Sequence, residues 1–114
     1  MKIHYLEIVT RDVDQVCLGY ERTGSVSFSP PVAELGNART AQLPDASVVG
    51  VRAPMGDMET PVTRPYWLVD NIEQAVKDVA DCGAEIIHPP LEIPGKGTFA
   101  IFSQGGNQQG FWQL

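Results

Sequence analysis

Glu7, in the apolar run Ile3–Thr10, and Arg52, closing the run Ser47–Arg52, carry the chemistry of a reactive pair. Two outcomes are open to a carboxylate and a guanidinium placed together. They neutralise one another, or the carboxylate is desolvated apart from the cation and becomes a general base with a raised pKa. Aromatic residues stand in strand-like runs of the same kind: Tyr5, Tyr66, Phe102 and Trp112. Aromatic walls with one or two polar groups suit a flat organic ligand whose orientation those groups fix. His4 and His88 complete the candidates. His88 precedes Pro89-Pro90 and reads as a strand-end surface residue; a pocket role for it rests on its nearness to the loop that follows.

Other chemistries lack their spacing. Cys17 and Cys82 are the only 2 cysteines and form no CxxC pair, which removes zinc and thioredoxin-like sites. They read as half-buried thiols in a reducing cytoplasm. Asp81 beside Cys82 disfavours a thiolate there. There is no nucleophile elbow, phosphate loop or dinucleotide fingerprint. Gly105-Gly106 is a turn and not a phosphate cradle, since no helix follows it. Across 114 residues, 8 Lys and Arg stand against 14 Asp and Glu, a formal net charge of −6. That balance argues against nucleic acid, which needs a basic face, and against an anionic lipid surface. Apolar residues at 43% and charged residues at 19% predict one folded domain with a real core. No apolar run approaches about 18 residues, so no membrane span is expected. The chain enters its first strand with no signal peptide, and a cytoplasmic protein is expected.

The elements that must position these residues follow from periodicity. Ile3–Thr10 reads as a strand. Asp12 is a candidate N-cap, and Val13, Val16, Cys17 and Tyr20 form the apolar stripe of a short helix that Gly24 stops. Ser25–Phe28, Ala38–Leu43 and Ser47–Arg52 read as strands, with Pro30-Pro31 a break and Pro44-Asp45 a hairpin turn. Ala53–Thr63, with Pro54, Gly56 and Pro61, is a linker. Then the pattern restarts. Pro65–Val69 is a strand and Asp70 a cap. Ile72, Ala75, Val76, Val79 and Ala80 make a helical stripe, and Gly83 stops it. Ala84–His88 is a strand, and Pro89–Gly97 a loop whose residues 90–97 offer either a lid or an ordinary connection. Thr98–Phe102 and Gln109–Gln113 are strands around the Gly105-Gly106-Asn107 turn. The expected organisation is α+β, a single domain 1–114 built from two βαβββ modules: module one 1–53, linker 54–63, module two 64–114. The order of elements matching twice points to a duplicated unit.

The residues YLEIVTRDVDQV (Tyr5–Val16), RPYWLVDNIEQAV (Arg64–Val76), ADCGAEII (Ala80–Ile87) and GTFAIFSQGGNQQGFWQL (Gly97–Leu114) together resemble the vicinal-oxygen-chelate superfamily. That superfamily includes glyoxalase, bleomycin-resistance proteins and extradiol dioxygenases. The resemblance covers nearly the whole chain and implies two half-barrels around a cavity, with the helices outside. It also implies, in metal-dependent members, an ion held by a first-strand His, Gln or Glu and a last-strand Glu of each module. Carried over, those stations fall on Tyr5 and Arg64, and on Gly50 and Gly110. Arginine and glycine supply no ligand, and tyrosine is a poor one at neutral pH. A one-residue slip would bring in His4, but on the face opposite Glu7. No catalytic metal and no cofactor are therefore expected.

Within that frame, alternation turns Tyr5, Glu7, Arg52, Tyr66, Leu68 and Trp112 inward, with Phe102 a further candidate. Leu6, Ile8, Trp67, Val69 and Phe111 then pack under the helices. Gly50 and Gly110 are expected to leave open volume at the cavity centre. The leading functional expectation is a metal-free small-molecule-binding protein for an aromatic or cationic organic ligand. One alternative is a metal-independent lyase, isomerase or hydrolase with Glu7 as general base; another is an interaction domain with a vestigial cavity. The resemblance also implies a two-fold homodimer, since half-barrels of a short chain leave open edges.

Overall fold

A computed structural model describes all 114 residues, Met1–Leu114. The chain divides into two compact units, one of Tyr5–Thr63 and one of Arg64–Leu114 together with Met1–His4. No helix is long and apolar enough to cross a membrane.

In the unit Tyr5–Thr63, β1 (Ile3–Val9) leads to α1 (Val13–Gly24), β2 (Arg39–Gln42) and β3 (Val48–Arg52). β1 runs parallel to β3, with Glu7 opposite Gly50 and Val9 opposite Arg52. β3 pairs antiparallel with β2 across the expected hairpin, where Ala46 takes φ 70° in the turn. One face of this sheet carries Ile8 and Val51, which pack with Cys17, Val13, Val16 and Val49 under α1.

Three local expectations need correction. Gly24 stays helical, and the stop is Ser25, at φ 55° in the left-handed region. Asp12 stands at the N-cap position without a side-chain cap; its own N–H donates to Thr10 Oγ1 at 3.1 Å. The predicted strand Ser25–Phe28 does not form. Its Phe28 N–H donates to the Glu21 carboxylate at 3.0 Å, and Pro30 and Pro31 after it have no N–H to offer a ladder. Ser29 alone reaches the neighbouring strand, donating its N–H to the Thr40 carbonyl at 2.8 Å.

In the other unit, β4 (Val62–Leu68), α2 (Ile72–Asp81), β5 (Glu85–Ile93), β6 (Gly97–Gln104) and β7 (Asn107–Gln113) follow in turn. The strand order is β4-β7-β6-β5, with β4 parallel to β7 and Tyr66 opposite Gly110. The start of β1 joins here: the Lys2 carbonyl accepts from Leu68 N–H at 2.8 Å. Asn71, and not Asp70, caps α2, its side chain accepting from Gln74 N–H at 3.1 Å. Gly83 ends the helix at φ 96°, as its type predicts. Under α2, Ile72, Ala100, Phe102 and Phe111 form a buried core with Trp67, Val69, Val76 and Ile86 packed around it.

The loop read over 89–97, as a lid or an ordinary connection, does not form. Those residues are the second half of β5 and a tight turn, with Leu91 opposite Phe99 and Ile93 opposite Gly97. β5 passes through Pro89-Pro90 because it is an edge strand, and its pairing with β6 shifts register between Ile86 and Leu91. Edges and bulges are the places where a sheet tolerates a residue that cannot donate. The cysteines are unequal as well. Cys17 is fully buried and Cys82 exposed, and both are free thiols.

Candidate functional site

Each unit has a strand face turned away from its helix, and the two faces differ in chemistry. In the unit Tyr5–Thr63 alternation places Tyr5, Glu7, Gly50 and Arg52 on that face. The Glu7 carboxylate accepts from Arg52 Nε at 2.8 Å, with both side chains nearly out of solvent at 11% and 6% exposure. The same guanidinium donates its two terminal nitrogens to Glu59, at 2.8 and 2.7 Å. Glu59 Oε1 also accepts from Met55 N–H at 2.7 Å, which fastens the 53–61 segment to the sheet. The hydrogen bonds that Arg52 donates to Glu59 raise its pKa above the ordinary value; burial opposes this, and Glu7 adds to it. Fork-to-fork geometry with a carboxylate is the strongest ion pair an arginine makes. A base role for Glu7 would have to break its bond to this clamped guanidinium.

Tyr5 lies across Gly50. A Cβ at residue 50 would stand 1.7 Å from Tyr5 Oη. The phenol is 5% exposed, and burial first, then the Glu7 charge, push its pKa well above 10, with Arg52 pulling the other way. Tyr66 treats Gly110 in the same way: a Cβ there would meet its ring at 2.3 Å and the Ala100 carbonyl at 2.6 Å. The open volume expected at these two glycines is therefore filled. Each missing side chain makes room for a tyrosine of the parallel neighbour strand.

The face of the other unit is aromatic. Tyr66 meets Trp112 edge-on at 5.8 Å between ring centroids and Phe99 at 6.3 Å. Phe99 faces Trp112 at 6.4 Å and stacks on His88 at 5.0 Å. His4 packs against Trp112 at 5.6 Å. Burial, reinforced by the Lys2 charge, lowers the His4 pKa and favours the neutral ring. Tyr66 and Trp112 are buried, while Phe99, His88 and His4 are half-buried and form the accessible side of the wall. At its end Arg64, also buried, donates to Gln108 Oε1 at 2.8 Å and approaches the Tyr66 hydroxyl at 3.5 Å. The Trp112 indole donates to the Lys96 carbonyl at 3.1 Å, which holds the β5–β6 turn against the wall.

Of the ligand-binding residues predicted from sequence, Tyr66, Leu68 and Trp112 share the aromatic face, and Tyr5, Glu7 and Arg52 share the charged one. Phe102 is on neither. It lies in the helix-side core, stacked on Phe111 at 4.7 Å. The ring that stands on the aromatic face in its place is Phe99, which the sequence reading missed along with Glu59, Gln108 and the stacking of His88 on Phe99. A signal for Phe99 was present. The tight Gly105-Gly106 turn pairs Gln104 with Asn107, and counting back from there sets Phe99 opposite Trp112, on one face.

The ion stations carried over from the family fall on a buried phenol, a buried guanidinium and two glycines already covered by tyrosine rings. No group of three or more His, Cys, Asp or Glu side chains converges anywhere in the chain. This donor set does not fit the family's divalent ion.

The fold is the one that the resemblance to the vicinal-oxygen-chelate superfamily implies, and solved structures share it. Among solved structures it matches a hypothetical protein from Bacillus halodurans C-125 at a TM-score of 0.78 and 13% identity, covering 99% of this chain and 94% of that one. It matches methylmalonyl-CoA epimerase from Mycobacterium tuberculosis at 0.74 and 12% identity, covering 97% and 86%. The Streptomyces coelicolor methylmalonyl-CoA epimerase in complex with 2-nitronate-propionyl-CoA matches at 0.75 and 15% identity, covering 99% and 94%. No family model and no curated protein matches the sequence.

Proposed function

We propose that this protein binds a small flat aromatic molecule, without a metal, on the strand face made by β4, β7, β6 and β5. The observation that carries the reading is the ring wall of Tyr66, Phe99, Trp112 and His88, with centroids 5.0 to 6.4 Å apart. Such spacing offers edge and face contacts to a planar guest. Arg64 at the end of the wall narrows the ligand class. Its positive charge favours an oxygen-bearing aromatic over the cationic ligand also considered from the sequence. Solved relatives in fold that hold acyl-CoA molecules support a small-molecule role. A catalytic role for Glu7 is not part of this reading, because Arg52 takes its carboxylate. A homodimer is part of it, supported by the edge strand β5, where Ile87 and Leu91 are 45% and 51% exposed.

The test is titration with 4-hydroxybenzoate, followed by NMR at the Trp112 indole and the Phe99 amide. Binding is expected to shift both and to raise the melting temperature with no change in the compound. Phe99→Ala should weaken it about tenfold or more, and Glu7→Gln should leave it unchanged. Elemental analysis of the purified protein should find no stoichiometric divalent ion. Stoichiometric Zn, Mn, Ni or Fe, silence of both probes at about 1 mM ligand, or turnover lost in Glu7→Gln would each defeat the proposal.

A further inference from the structure

The unit Tyr5–Thr63 contains a hollow on the side of its sheet away from Glu7 and Arg52. It measures about 250 Å³ and lies between α1, the segment 25–28 and the sheet. Leu6, Ile8, Ala41, Val49, Tyr20 and Phe28 wall it, and no charged or amide side chain lines it. The hollow exists because the chain after α1 does not pair as a strand. Ser25 turns it at φ 55°, and the Glu21 carboxylate holds Phe28 off by its N–H at 3.0 Å. Tyr20 and Phe28 face one another at 6.3 Å and 29°, and Tyr20 is 43% exposed, so this stacked pair stands at the rim.

The hollow does not end blind. Gly24, Val26 and Leu43 line it and also line a second, open cleft of about 590 Å³. That cleft is mixed, with the Ser25, Ser27 and Gln42 side chains beside Val26, Leu43, Pro44 and Ala46. It contains no charged side chain. An apolar chamber thus opens into an uncharged hydrogen-bonding vestibule.

We propose that this is a second ligand site, for an amphipathic small molecule with an apolar body and an uncharged polar head. The chamber exceeds the roughly 150 Å³ of apolar cavity that admits benzene, so it takes a bicyclic aromatic body or a short alkyl chain. The head rests among Ser25, Ser27 and Gln42. A charged head finds no counter-ion in the vestibule and is desolvated without compensation. Both chamber and vestibule belong to Tyr5–Thr63, so the site is independent of the aromatic wall built by residues of the other unit.

The experiment is NMR titration of the intact protein with 2-naphthol and, in parallel, with 2-naphthoate. With 2-naphthol, the amides of Leu6, Val26, Phe28, Ala41 and Val49 are expected to shift. The affinity should exceed that for 2-naphthoate by about tenfold or more. Val26→Trp at the mouth and Ala41→Leu within the chamber should each reduce 2-naphthol binding by a similar factor, while Phe99→Ala leaves it intact. Melting curves of both variants check that they fold; Val26 sits on the rim, so its replacement keeps the test valid if Ala41→Leu fails to fold. Four results overturn the proposal: no shift at about 1 mM, shifts confined to Phe99 and Trp112, equal affinity for 2-naphthoate, or unchanged binding in folded Val26→Trp. A dimer-to-monomer change on Val26→Trp overturns it too, because a second copy would then be the occupant.

Discussion

Both units set their first strand parallel to their last, and both lay a tyrosine of the first strand over a glycine of the last, Tyr5 on Gly50 and Tyr66 on Gly110. Beyond that shared device they differ on each face. Arg64–Leu114 packs its helix side with Phe102, Phe111 and Ile72, and puts rings on its strand side. Tyr5–Thr63 clamps an ion-pair cluster on its strand side, and its helix side is packed under α1 but hollow beside the segment 25–28. The same backbone plan therefore fixes where a face is, while side-chain volume decides whether that face is core, charge cluster or binding surface.

The largest effects should come from breaking what each unit packs best. Phe102→Ala should lower unfolding stability by about 3–5 kcal/mol, while Phe28→Ala, half-buried beside the hollow, should lower it by about 1 kcal/mol. Urea unfolding of the two variants measures the difference, and equal losses would erase the contrast between packed and hollow faces. Arg52→Ala should cost about 3–5 kcal/mol, because it strands the Glu7 carboxylate in a buried setting. The double change Arg52→Met with Glu7→Leu should recover most of that loss; if it does not, the cluster stabilises by more than charge balance.

The glycines come next. Gly110→Ala should cost about 2–3 kcal/mol, since the new methyl meets the rigid Ala100 carbonyl as well as a ring. Gly50→Ala should cost less, about 1 kcal/mol, because the three atoms nearest the new methyl all belong to the Tyr5 side chain and none to backbone. The reverse order in thermal melts would show that the two tyrosines are not held alike. The smallest effect is a pH dependence. Tyr5 has a raised pKa in the folded chain, so its contribution is complete below the ordinary tyrosine value near 10 and is lost as pH climbs above it. Unfolding free energy should fall along that alkaline limb, and Tyr5→Phe should make the limb shallower.

Strand and helix order was readable wherever period carried it. The helical stripe Ile72, Ala75, Val76 and Val79 and the strand alternation in β1, β3, β4 and β7 assigned helix-side and strand-side residues as observed. Reading stopped where an element's identity depends on its neighbours. Pro89-Pro90 looks like a loop until β5 is known to be an edge, and Ser25–Phe28 looks like a strand until Glu21 captures Phe28 N–H. Phe102 was placed on the wrong face because strand alternation was not anchored to the hairpin register beside it. The glycines misled for a different reason. Alternation reports which way a side chain points, and says nothing of how far a tyrosine on the adjacent strand leans. The Arg52–Glu59 clamp was invisible, since Glu59 lies in a segment with no period at all.

The parallel closure of each unit also shapes how it must fold. β1 meets β3, and β4 meets β7, across nearly the whole length of their unit, so those ladders form only after the intervening chain has ordered and its loop-closure entropy has been overcome. The β6–β7 hairpin, by contrast, needs only its two-glycine turn. Assembly should accordingly be slow and cooperative, with the hairpin as an early local nucleus and the tyrosine–glycine seams as the last contacts to zip.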